Sequence, residues 1–324
     1  MRPAFLILVD GADVTAQFQD RLVSLTVTDN DGEEADQVEI TVDDRGGRVS
    51  MPALDARLEV FLGWHGQPLS MMGVFAVDGV SGEGPVETLT ISATAADMKG
   101  PIRNPKTRGW QDVTLADIAR TIAAEAGLEA VLSPSLAGRA FPYVAQTAES
   151  DLHLITRLAR PFNATAKPAG GRLIVQRRGE PATAAGDAMP SGAITRADLT
   201  GWNWRLETRG MADRIEAEYT APDAGMREIV SAGEGDSSRR LRHVFTDRAS
   251  ALDAAEGELA RGRTTAMTCS AELASFRPDI IAGARAVLAG ISEKIDGDWQ
   301  VKKVEHRLEG ALLTGIELTK GAAG

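Results

Sequence analysis

One cysteine, Cys269, serves all 324 residues. An intrachain disulfide and a cysteine-rich zinc site are therefore excluded, which fits folding in a reducing compartment. Histidine is also scarce, with only His65, His153, His243 and His306. No two form a His-x-x-x-His pair or share a predicted element, so a metal site gains no support from them. The sequence has no Gly-x-Ser-x-Gly elbow and no P-loop. No apolar run approaches the ~20 residues of a membrane span. The N-terminal run Phe5 to Val9 is too short for a signal segment and stops at Asp10-Gly11. Synthesis and folding in the cytoplasm are expected. Basic charge is in deficit too, with 35 Lys and Arg against 46 Asp and Glu and a net charge of −11. Such a surface repels phosphates and argues against a DNA-binding regulator.

What the chain does have is material for packing. Hydrophobic residues make up 43%, enough for a buried core. The length allows two or three domains of roughly 100–200 residues each. Residues 1–100 read as β. Val23, Leu25 and Val27 alternate with polar residues, as do Val38, Ile40 and Val42, then Leu58, Val60 and Leu62. Phe75 and Val77, then Leu89, Ile91 and Ala93, continue the pattern. A period of two places one face on a core. Asn30-Asp31-Gly32, Gly46-Gly47 and Gly82-Glu83-Gly84-Pro85 supply turns. A small barrel or sandwich is expected.

Residues 101–180 change character. Thr114 and Asp117 form a capping-box pattern ahead of a helical face of Leu115, Ile118, Ala119, Ile122, Ala123 and Ala126, with Gly127 at its end. A second helix carries Leu152, Ile155, Leu158, Ala159 and Phe162. Glu149 and Asp151 are placed in its first turn, and Arg157 and Arg160 in its last, before Pro161. Gly170-Gly171 joins two short strands. The stretch 180–192 reads as a linker or mobile loop.

From Ala193 the pattern is β again. Trp202, Trp204 and Leu206 alternate, then Ile215, Ala217 and Tyr219. Ser231 to Ser238 is a polar loop, and a helix is expected at 247–261 with Leu252, Ala255 and Leu259 inward. Further strands are expected at Thr265–Leu273, Arg285–Leu288, Trp299–Leu308 and Leu312–Leu318. There is also an internal echo. Phe75-x-Val77-x-x-Val80 is followed by a second strand at Leu89, and Trp299-x-Val301-x-x-Val304 by one at Leu313.

Chemistry is thin. Gly82-Glu83-Gly84 lacks a third glycine and a strand-to-helix crossover, so it reads as a hairpin turn. Asp43, Asp44 and Asp78 are conceivable carboxylates for glycoside hydrolysis, but read better as turn or strand-end groups. Cys269 suits a strand core. Trp202 and Trp204 share a face and suit core or subunit packing better than stacking on a sugar or base. Arg177, Arg178, Arg239, Arg240 and Arg242 read as solvated or salt-bridged. No catalytic, cofactor-binding or metal-binding residue is assigned.

An ordered series of segments then points to a family. It runs through Leu25–Asp29, Ala35–Ile40, Asp43–Gly46, Leu58–Gly63, Met72–Asp78, Leu89–Ala93, Thr114–Ile118, Gln146–His153, Arg157–Ala159 and Ala166–Leu173. In these the chain resembles the late control D family of tailed phages, the baseplate hubs of contractile tails. Past residue 200 the match is mainly architectural.

The resemblance implies a mainly β fold with an α+β insertion: two tail-tube-like β-barrel domains plus a two-helix-and-hairpin module. It divides the chain at 1–100, 101–180 and 181–324, with segments exchanged between the β domains. It implies a structural, non-enzymatic homotrimer whose three subunits present a pseudo-sixfold ring to the hexameric tail tube, with a central spike on the other side. Related type VI secretion spikes fuse hub and needle; this chain ends soon after Leu318, so a separate spike polypeptide is expected. Other baseplate proteins are expected partners. DNA is expected only as non-specific cargo through the lumen, with no membrane and no cofactor. Assembly in the host cytoplasm and residence in a virion tail or tail-like particle follow. Acids such as Asp29, Asp31, Glu33 and Glu34 are candidates for the lumen wall. The competing reading is a tail-associated cell-wall hydrolase.

Overall fold

A computed structural model describes residues 1–32, 34–96, 101–169, 171–178, 191–206, 212–220, 226–264 and 267–320. Glu33, Gly170, most of the 180–192 linker and the start of the strand expected at Thr265 lie outside the described residues. The first β region comprises β1 (Pro3–Val9), β2 (Ala12–Asp13), a short helix α1 (Thr15–Phe18), β3 (Leu22–Asn30), β4 (Gln37–Asp43), β5 (Arg57–Trp64), β6 (Ser70–Glu83) and β7 (Thr88–Ala95). Alternation sets its core: Leu25, Val42, Val60, Leu62 and Val77 are wholly buried. Each such side chain contributes about 1.5–3 kcal/mol of burial. Val23 departs from the expected face and is 45% exposed. The β3–β4 register shifts between Leu22 and Ser24. A bulge there breaks the period, and Leu22 packs against the core instead.

The next stretch runs through β8 (Pro105–Thr114), α2 (Leu115–Ala126), β9 (Glu129–Leu132), α3 (Pro134–Ala137), β10 (Ala140–Ser150), α4 (Asp151–Ala159), β11 (Ala164–Ala169) and β12 (Arg172–Arg177). The capping box forms. Thr114 Oγ1 accepts from the Asp117 N–H, and Asp117 Oδ2 accepts from the Thr114 N–H at 3.0 Å. Gly127 ends α2 at φ 70°, in the left-handed region that glycine favours. Leu115, Ile118, Ile122, Leu154 and Ile155 are fully buried in a core of their own. Helix α4 starts at Asp151. Ser150, the last residue of β10, is the N-cap, so Glu149 stays in β10 and pairs with Arg157 rather than joining the first turn. Phe162 lies in a 3-10 turn, Arg160–Phe162, where Pro161 has ended the helix. Two features went unforeseen: the β8–β10 antiparallel ribbon and the parallel pairing of β9 with β12.

The remainder holds β13 (Ser191–Thr195), β14 (Leu199–Leu206), β15 (Arg214–Thr220), β16 (Arg227–Gly233), β17 (Ser238–Phe245), α5 (Arg248–Thr264), β18 (Met267–Leu273), β19 (Arg285–Ala289), β20 (Gly297–Glu309) and β21 (Ala311–Lys320). Strands β15 to β17 form a separate three-stranded sheet. Ile215, Ala217 and Tyr219 on it pack with Ala251, Ala255 and Leu259 of α5. Helix α5 then docks on the 3-10 turn of the preceding module. A Cβ added at Gly257 would lie 1.7 Å from the Pro161 carbonyl oxygen, so only glycine permits this approach.

The other strands of both β regions belong to one 13-stranded sheet. Its seam is the antiparallel pairing of β20 with β3, from Lys303 opposite Asn30 to Leu308 opposite Leu25. Phe276, Leu308 and Leu312 cross into the first core. The expected closed barrels are not found. Among the described residues no ladder returns β1 to β3 or β13 to β14, so the sheet is open. A strand that bends at bulges can wrap a core without closing its hydrogen bonds. The two echoing motifs have the same physical origin. Their V-x-x-V step is a bulge in each case, between Val77 and Gly79 on β6 and between Val301 and Lys303 on β20.

Candidate functional site

The polar centre of the molecule is the junction where the two β regions meet the α+β module. Its hub is Lys167. Along β11, Ala164, Ala166 and Pro168 face the module's core, so the intervening Lys167 projects the other way. Its Nζ donates to Asp36 Oδ1 at 2.7 Å, Asp29 Oδ1 at 2.9 Å and the Asn30 carbonyl at 2.7 Å. Asp29 Oδ2 also accepts from the Ala282 N–H of the second β region at 2.8 Å. Asp31 pairs with Arg178 at 3.5 Å, and its N–H donates to the Lys302 carbonyl. The β3–β4 connection thus binds both other parts of the chain. Burial works against the charge of Lys167, but Asp29 and Asp36 outweigh it and hold its pKa above the usual lysine value.

Two of the acids proposed from the sequence for the lumen wall hold this junction together. Asp29 and Asp31 are turned into the junction and neutralised there. Glu34 is exposed. The acidity of the chain is nonetheless local. Residues 1–100 hold 17 Asp and Glu against 6 Lys and Arg, whereas residues 101–324 hold 29 of each.

The other sequence candidates are scattered. His65 and His243 are exposed, His153 stands beside Glu149, and His306 is buried against Thr314. Among the described residues no group of three or more His, Cys, Asp or Glu could hold a metal ion. Asp43 is held by Arg45, Asp44 caps the Val49 N–H, and Asp78 accepts from Thr94. Cys269 is buried, and burial pushes its thiol up to about 11, where it stays protonated at neutral pH. Trp202 packs on the core of the second β region, which includes Cys269, Trp299 and Val301, and lies under Arg196, while Trp204 is 39% exposed under Lys294. Arg239 and Arg240 pair with Glu258 and Glu216, and Arg242 is exposed. Sequence reasoning missed Lys167, Asp36 and Gly257, whose partners lie about a hundred residues away and leave no local signal.

The fold has counterparts among known proteins. The family model for the phage tail baseplate hub (GPD) matches residues 38–311. The chain belongs to the phage tail baseplate hub family. A probable baseplate hub protein of Escherichia phage P2 is 30% identical, with 98% of this chain and 93% of that protein covered. Two crystal structures share the fold at 13% identity. A tail protein from Neisseria meningitidis MC58 gives a TM-score of 0.74, covering 99% of this chain and 97% of that one. The 43 kDa tail protein of prophage MuSo2 from Shewanella oneidensis gives 0.73, covering 98% of each. The role is that of a structural baseplate hub. The cell-wall hydrolase reading finds no support in these relatives. Among the described residues of the hub, no helix is long and apolar enough to cross a membrane.

Proposed function

We propose that this hub works without catalysis as a homotrimeric ring, joining a hexameric tail tube to a trimeric central spike and contacting other baseplate proteins. The observation that carries the reading is the continuous sheet across the β20–β3 seam, with the same bulged hairpin motif on either side. Two tube-like β regions in one rigid subunit let three subunits meet a sixfold tube. The division at 1–100, 101–180 and 181–324 follows, with residues 214–264 as a further insert. The lumen passes DNA as non-specific cargo, and the acidic first β region repels its phosphates from the wall. The subunit assembles in the host cytoplasm before entering the tail. Light scattering of the purified chain, alone and with tail tube protein, is the test. A particle of three times 34.3 kDa is expected. A monomer under both conditions, or a clearing zone on peptidoglycan, overturns the reading.

A further inference from the structure

Beside the Lys167 junction opens a cleft of about 510 Å³, between the β3–β4 connection, β12 and the segment 278–283. That volume lies in the range of ligand clefts, roughly 300–1,000 Å³. Three features of its lining do not serve the fold. The first is apolar exposure: Met71 and Ile281 line the cleft yet are 51% and 43% exposed. The second is unspent positive charge. Lys167, Arg172, Arg177 and Arg178 line it against Asp29, Asp31 and Asp36. The three acids are engaged by Lys167 and Arg178, and Arg172 pairs with Glu129 outside. The Arg177 guanidinium meets no carboxylate among the described residues. The third is Gln300 at the cleft floor. It is only 9% exposed, and its Oε1 meets no donor among the described residues. A buried acceptor left unpaired is costly.

We propose that this cleft docks an extended peptide of a partner protein, one carrying an apolar side chain next to a carboxylate. The apolar group covers Met71 and Ile281, the carboxylate takes Arg177, and a backbone N–H reaches Gln300 Oε1. A fatty acid supplies the first two contacts but no N–H donor. An inorganic anion supplies only the second. Only the source of the peptide, a protein of the same tail, rests on the hub reading.

The test is an array of overlapping peptides from the proteins of that tail, probed with the intact chain. Fluorescence anisotropy then follows on the best hit and on its amide version, with Asp or Glu changed to Asn or Gln. The expected hits share an apolar residue beside an acid, and the amide version binds at least about tenfold weaker. Arg177→Gln levels that difference. Gln300→Leu loses binding while keeping or raising Tm, because it removes an unpaired buried acceptor. No hits, hits rich in Lys and Arg, or discrimination that survives Arg177→Gln overturns the proposal. So does displacement of the peptide by decanoate or phosphate at lower concentration, which reassigns the cleft to a lipid or a free anion. Light scattering on the same samples reports the trimer independently. A trimer that binds no peptide sinks this inference alone.

Discussion

His306 sits on the seam, opposite Val27 of β3, with its Nδ1 3.0 Å from Thr314 Oγ1 and its ring edge-on to Phe276. Burial pulls its pKa down to about 4, against smaller upward pulls from Asp29 and Asp279. In the unfolded chain a histidine titrates near 6.5. Between these values the unfolded state binds the extra proton, so stability falls as pH drops through the window and the loss levels off below about 4. The full effect is about 3 kcal/mol. Urea midpoints at pH 7 and pH 5 should therefore separate the parent chain more than His306→Gln; equal shifts would show that His306 is not the cause. Lys167 poses a different problem. Its removal strands Asp29 and Asp36 together in a half-buried site. Lys167→Met should cost about 3 kcal/mol, and adding Asp29→Asn with Asp36→Asn should recover most of it. Chemical denaturation of the single and triple variants checks this. A triple variant no better than the single one removes the charge-pairing account.

At the level of elements, α2 was legible because everything that defines it is local: a capping box, a 3.6 period and a terminal glycine. Leu115→Asp or Ile118→Asp each buries a carboxylate in a core where both side chains are fully enclosed. Each should unfold the α+β module, read as loss of soluble, protease-resistant protein; parent-like stability for both rejects the helix-face assignment. Helix α5 shows the opposite case. Its position and its inward Ala255 and Leu259 follow from periodicity, but Gly257 reads as a mere helix weakener until Pro161 is seen against it. Gly257→Ala should raise intrinsic helicity by about 1 kcal/mol. It should still lower stability by about 1–3 kcal/mol, because backbone must move to admit the methyl group. Hydrogen exchange should show the cost as faster exchange around Arg160–Phe162 and α5. Unchanged protection there contradicts the close approach. The bulges lie between these extremes. The V-x-x-V steps were visible, yet only the strand registers show that they insert a residue, and the bulge that turned Val23 outward had no mark in the sequence.

Across the whole molecule, the class of fold was legible and the connectivity was not. Period-two patterns mark strands but carry no information on partners. The β20–β3 seam joins residues nearly three hundred positions apart, and the barrel expectation failed because closure depends on such pairings. The sign of the net charge was legible too, but the pairing of Asp29 and Asp31 was not, because their cationic partners are remote in sequence. Among the described residues, Asp20, Glu34, Glu39, Asp78, Glu83 and Glu87 are exposed in these acid-rich first hundred residues. Self-repulsion there should destabilise the first β region at low ionic strength. Raising salt from about 0.01 M to about 1 M shortens the Debye length from about 30 Å to about 3 Å. Exposed repulsion is then screened, while the half-buried Lys167 pairs are screened far less. Tm should rise with salt. Asp20, Glu39 and Glu83 are exposed and hold no ion pair among the described residues. Asp20→Asn, Glu39→Gln and Glu83→Gln together should raise the low-salt Tm and flatten its salt dependence. A Tm that falls with salt in the parent, or an unchanged slope in the triple variant, shows that attraction and not repulsion dominates this half of the hub. In that case the proposed repulsion of DNA by the first β region would lose its electrostatic basis.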